Sequence, residues 1–114
     1  MLKTKQFKPG DHHPTVKLEK KEREIKHVQK TFVKLLKERG GKSWPFRSPS
    51  NIGVYDKIAV LPDGDIWFVE LKTAEGKLSK QQIEFGVAVQ ELGANEVVIY
   101  GVEGVIAWLD YVIS

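Results

Sequence analysis

The sequence predicts a single-domain α/β sandwich: a mixed central sheet flanked by helices, in the order α-β-β-β-α-β-α. Three observations carry that prediction. An apolar stripe at helical spacing runs through residues 17–39, two strand-length segments meet at a tight turn near residue 63, and a helix–strand–helix series closes the chain. With 114 residues the chain can bury one core, and two comfortable domains are excluded.

Taken in order, residues 1–16 hold two prolines, a glycine and no apolar periodicity, so they are expected to be a flexible or exchanged N-terminal arm, with 17–114 as the folded domain. His12 and His13 are adjacent and fit no helical ligand spacing. Ile25, Val28, Phe32 and Leu35/Leu36 recur every three or four residues and predict a helix over Lys17–Arg39, ended by Gly40-Gly41. Lys42–Arg47 reads as an edge strand because it contains Pro45. Ser48–Gly53 is a polar loop. Val54–Leu61 and Asp65–Lys72 are strands, Ser79–Leu92 a helix, Glu96–Tyr100 a strand and Glu103–Ile113 a short helix.

Composition narrows the function classes. There is no cysteine, hence no disulfide framework and no thiolate metal site, as suits a reducing cytoplasm. The opening MLKTKQFKPGDHH lacks an apolar run, so no secretory signal is expected, and VVIY (97–100) and VIAWL (105–109) are far too short to span a bilayer. The net charge of +3 hides an asymmetry: residues 1–47 carry 14 basic against 5 acidic side chains, residues 48–114 carry 4 against 10. A basic half of this kind suits a polyanionic partner, or is simply a solvated lysine-rich helix face.

The turn at Leu61-Pro62-Asp63-Gly64 fixes a register. Proline suits the first turn position and glycine a left-handed one, the chemistry of a three-residue hairpin loop with a G1 bulge. Leu61 then pairs with Asp65, Val60 faces Ile66, Ile58 faces Phe68 and Asp56 faces Glu70. A two-residue loop would send Asp56 to the opposite face. Both faces of this hairpin are apolar, so both are expected to be covered. At one end two carboxylates would lie opposite each other with Cβ atoms ~5 Å apart. Opposed, partly desolvated carboxylates destabilise one another, and a divalent cation relieves that; oxygen ligands suit Mg²⁺ or Mn²⁺. Lys72, two residues beyond Glu70, projects from the same face, where an ammonium could place a water and offset charge on a reacting phosphate. The plain alternative is an ion pair that only neutralises Glu70.

The second helix opens on Ser79-Lys80-Gln81-Gln82, a capping box. Gln82, Phe85 and Val89 share the side expected to face the sheet, and Gln82 falls at the end nearest Lys72. The helix N-terminus also offers free N–H groups to a phosphate. No P-loop, dinucleotide fingerprint or nucleophile elbow is present.

The stretch RGGKSWPFRSPSNIGVYDKIAVLPDGDIWFVELKTAEGKLSKQQ resembles the VRR-NUC family of the PD-(D/E)XK nuclease superfamily. Arg39-Gly40-Gly41, Phe46-Arg47-Ser48-Pro49, Gly53, Asp56, Glu70-Leu71-Lys72 and Leu78-Ser79 with Gln82 fit its pattern. The resemblance implies a restriction-endonuclease-like fold, Asp56 and Glu70 as metal ligands with the main-chain carbonyl of Leu71, Lys72 as catalytic lysine and Gln82 as the glutamine of the following helix. The sequence departs from the pattern twice. Tyr55 stands where the motif's proline would be, and Gln29 stands where the first helix tends to carry a glutamate. Glu22, two turns earlier, is a substitute candidate.

The expected function is therefore hydrolysis of a DNA phosphodiester by a Mg²⁺- or Mn²⁺-dependent endonuclease, with Lys42, Arg47, Ser48, Lys57, Lys77 and Lys80 as candidate DNA-binding residues. Stand-alone domains of this family look like bacterial or phage-encoded enzymes, acting in the host cytoplasm on branched DNA such as four-way junctions, and a homodimer would supply two matched cuts. Rival expectations are a general or restriction-type endonuclease and a non-catalytic nucleic-acid-binding module on the same fold.

Overall fold

The computed structural model describes residues 5–7, 18–48 and 53–114. The elements are β1 (Lys5–Phe7), α1 (Leu18–Glu38), β2 (Lys42–Pro45), β3 (Lys57–Val60), β4 (Ile66–Lys72), α2 (Lys80–Glu91), β5 (Asn95–Tyr100) and α3 (Gly101–Val112). They form one mixed sheet of order β1-β5-β4-β3-β2, with helices on both faces. The predicted α-β-β-β-α-β-α order is present, preceded by one strand that had no place in it. Three residues of the stretch expected to be an arm, Lys5–Phe7, pair in parallel with Val97–Ile99 of β5. The rest of residues 1–16, His12 and His13 included, lies outside the described residues, as do residues 49–52 of the stretch expected to be a polar loop.

Each helix forms for the reason its spacing implies. Along α1, Val28, Phe32 and Leu36 are buried and Ile25 and Leu35 partly so, while the lysines between them stay in water. Its end is closed by the Gly40 N–H donating to the Lys37 carbonyl and the Gly41 N–H to the Leu36 carbonyl, a Schellman pair. α2 is capped at Ser79, whose Oγ accepts from the Gln82 N–H while Gln82 Oε1 accepts from the Ser79 N–H, the predicted box.

The mid-chain hairpin has the predicted register. Val60 pairs with Ile66, Ile58 with Phe68 and Lys57 with Val69. Leu61 N–H donates to the Asp65 carbonyl and Gly64, at φ +90°, donates to the Leu61 carbonyl. Of the two faces expected to be covered, one is covered fully and the other only in part: Ile58, Val60 and Phe68 are half-buried, and Ile66, at the hairpin end, is 55% exposed. Ala59, Leu61, Val69, Leu71, Val97 and Ile99 pack under α1 and α3, where Trp108 is fully buried against Phe32 and Trp67. Phe68 and Val98 face α2, whose Phe85 contacts Phe68, Phe46 and Tyr55.

The strand predicted from Val54 begins only at Lys57, and the reason lies in Tyr55. Strict alternation from Ile58 would put Tyr55 on the α1 face. Instead it packs on Phe85 with Phe68, on the α2 face, fully buried. The chain therefore bends at Asp56. Gly53, at φ +97°, starts this excursion, and a Cβ there would stand 2.4 Å from the Cβ of Gln81. Loop and helix are in backbone contact at that point.

Candidate active site

Asp56, at the bend before β3, and Glu70, near the end of β4, are joined by two hydrogen bonds. The Asp56 N–H donates to Glu70 Oε1 at 3.2 Å, and Asp56 Oδ2 accepts from the Leu71 N–H at 3.1 Å. The register brings the two residues opposite each other, and the bend lays the Asp56 carboxylate against the backbone of β4. Glu70 is 3% exposed. Its Oε2 accepts from Gln82 Nε2 at 2.9 Å and lies 3.5 Å from Lys72 Nζ. Gln82 thus does two things at once: its Oε1 caps α2 and its Nε2 fixes the Glu70 carboxylate.

Tyr55 anchors the residue before Asp56. Its hydroxyl donates to Glu96 Oε1 at 2.7 Å, and the other oxygen of this buried glutamate accepts from Gln90 of α2. The side chain in the motif's proline position therefore ties the bend to β5 and α2. Sequence reasoning gave Tyr55 no such role, because its partner lies 41 residues away.

The electrostatics are those of crowded acids. Burial, and then the neighbouring Asp56 carboxylate, push Glu70 up to about 7, with Lys72 pulling the other way. Burial raises Asp56 as well, against the Leu71 hydrogen bond and the charges of Lys72 and Lys57. Burial and Glu70 also raise the Tyr100 phenol.

These residues open on a cavity of about 410 Å³. Asp56, Glu70, Leu71 and Lys72 form one wall, and Thr73, Gly76 and Lys77 of the following loop form another. The third comes from α1, with Lys21, Glu22, Ile25 and Gln29. Both candidates for the helical ligand, Glu22 and Gln29, therefore face the cavity. Among the described residues, however, no three His, Cys, Asp or Glu side chains are grouped to hold an ion, so Glu22 does not join the two carboxylates. Two desolvated carboxylates and a nearby main-chain carbonyl suit a cation that keeps most of its waters, as Mg²⁺ does.

The candidate DNA-binding residues are not brought together. Lys77 lines the site cavity, and Lys57 lines a groove beside it with three lysines of α1. Arg47 and Ser48 line a separate concavity with Phe46, Val54, Gln81 and Phe85. Lys42 lies over the Trp44 ring, 5.2 Å from its centroid, and Lys80 is exposed at the start of α2.

No family model matches the chain. A curated relative, "Putative nuclease p44" of Acyrthosiphon pisum secondary endosymbiont phage 1, is 32% identical over 72 residues, covering 63% of this chain and 77% of the relative. A solved structure described as a VRR_NUC domain superposes with a TM-score of 0.72 at 26% identity, covering 78% of this chain and 97% of that one. Sheet order, the site at the end of β4 and these two likenesses agree, and the chain belongs to the VRR-NUC family.

Proposed function

We propose that this VRR-NUC nuclease domain is a Mg²⁺- or Mn²⁺-dependent endonuclease that hydrolyses DNA phosphodiesters, with branched DNA as its substrate. The observation that carries the reading is the pairing of Asp56 with a buried Glu70 beside Lys72, at the floor of an open cavity. A binding module has no reason to keep two mutually repelling, desolvated carboxylates there.

Asp56, Glu70 and the Leu71 carbonyl would hold the ion. When bound, it would supply Lewis-acid polarisation of a phosphoryl oxygen and a more acidic water. The chain's own groups do the rest. Lys72 Nζ, with one side toward Glu70 Oε2, can hold the attacking water by hydrogen bond and offset negative charge gathering on the phosphoryl oxygens. Gln82 Nε2 keeps the Glu70 carboxylate in one orientation. The Tyr55–Glu96 hydrogen bond holds the bend that presents Asp56. Thr73, Lys77 and the α1 wall bound the space in which the scissile phosphate would sit.

The preference for branched DNA and a homodimeric assembly rest on the resemblance to the family's stand-alone members, in which a dimer would supply two matched cuts. The phage origin of the curated relative supports a bacterial or phage-encoded enzyme acting in the host cytoplasm. Among the described residues no helix is long and apolar enough to cross a membrane. The reading is tested by incubating the protein with linear duplex, flap, fork and four-way-junction DNA, with Mg²⁺, Mn²⁺ or EDTA. Metal-dependent cleavage that favours the junction is expected. Equal cleavage of linear duplex would favour a general endonuclease, and no cleavage of any form with either metal would refute the proposal.

A further inference from the structure

We propose that the groove between α1 and the start of β3 is the track along which one strand of the DNA backbone enters the active site, held by Lys26, Lys30, Lys34 and Lys57. The inference rests on the nuclease reading and names the surface that reading needs.

Four observations support it. First, Lys26, Lys30 and Lys34 follow one another at intervals of four residues, so they rise along a single face of α1 at ~6 Å per step. Second, together with Gln29, Val33 and Lys57 these lysines line a shallow, open hollow of about 400 Å³. Third, the groove adjoins the active site. Gln29 lines both concavities, and Lys57 is the residue after Asp56. Fourth, among the described residues none of these four lysines has an ion-pair partner. Four like charges around one hollow repel one another, and an anion with charge at regular intervals relieves that repulsion along its length. The exposed Val33 and the lysine stems give the groove an apolar floor, on which sugar carbons can lie while ammonium groups reach phosphates from both rims.

Salt dependence of binding tests this directly, because each phosphate neutralised on duplex DNA adds ~0.9 to the slope of log affinity against log salt. Binding of a fluorescein-labelled duplex is followed by anisotropy across a NaCl series in EDTA, so that cleavage plays no part. Three proteins are compared: wild type, the groove triple K26Q/K30Q/K34Q, and a triple of equal charge loss at exposed lysines that do not line the groove, K20Q/K42Q/K80Q. The groove triple is expected to flatten the slope by roughly 2 to 3, and the control triple by less than about 1. Circular dichroism and the melting temperature should match wild type for both, since these side chains are exposed. If the groove triple does not fold, K30Q alone should flatten the slope by about 1. Equal flattening by both triples would reduce the groove to diffuse surface charge and overturn the proposal. No flattening by the groove variants, or no salt-dependent binding by wild type, would overturn it too. Failure of catalysis would leave these slopes unchanged, so the two readings fail separately.

Discussion

Glu70 is the residue on which the chemistry and the stability of the site meet. In an unfolded chain its carboxyl would titrate near 4.5, whereas in the fold it is raised to about 7. Between those values the folded state keeps a proton that the unfolded chain has released. Stability of the metal-free protein should therefore fall as pH rises from about 4.5 to about 7, by up to roughly 3 kcal/mol, and level off above. Asp56 is raised by burial and adds in the same direction. A divalent cation favours the charged carboxylates, so millimolar Mg²⁺ should raise the melting temperature more at about pH 8 than at about pH 5. Thermal melts at both values check this, and an equal rise at both would contradict it. Tyr55 makes a second case at this scale. Tyr55→Phe keeps the ring packing on Phe85 but removes the donor to buried Glu96, and should cost about 1–3 kcal/mol in denaturant titration. An unchanged midpoint would mean that the clamp does not hold the bend.

At the scale of elements, the hairpin register was readable because its cause is local. Pro62 and Gly64 specify the loop, the loop specifies which residues face each other, and Asp56 falls beside Glu70. The helix caps at Gly40-Gly41 and Ser79 were readable for the same reason. What escaped was non-local. β1 has three residues and one apolar side chain, and what makes it a strand is the open edge of β5 some ninety residues later. The bend at Asp56 comes from Tyr55 reaching Glu96 and from Gly53 lying on α2, neither of which alternation encodes. Two glycines separate these causes. Gly64 has nothing within 4 Å of a Cβ, so Gly64→Ala should lose only its backbone preference, ~1 kcal/mol. Gly53→Ala adds a clash with Gln81 to the same φ penalty, should cost more, and should loosen the α2 N-terminus that carries Gln82. Chemical denaturation of both variants checks the order, and a Gly53 variant as stable as the Gly64 variant would refute the contact.

Across the whole molecule, the site is a product of layering. β4 brings Glu70 and Lys72, the bend before β3 brings Asp56, α2 brings Gln82 and α1 closes the cavity. The sequence placed the first four because strand period, turn and cap decide them. It left the lysine groove unread, since a basic helix becomes a concave surface only once α1 docks beside Lys57. Trp108 is buried in the core, so a dimer formed through α3 would have to use exposed Ile106 and Tyr111. Light scattering should give about twice the monomer mass if the proposed homodimer forms; the mass of a single chain would count against it.

Whether Asp56, Glu70 and Lys72 form a metal-dependent phosphodiesterase site is decided by the cleavage rate of Lys72→Ala against wild type on a junction substrate in Mg²⁺ or Mn²⁺. The variant should fold, bind DNA as wild type does in EDTA, and cleave at least ~10²-fold more slowly, the scale of removing one preorganised electrostatic group. Near-normal cleavage by Lys72→Ala, or undiminished wild-type cleavage in EDTA, would contradict that assignment.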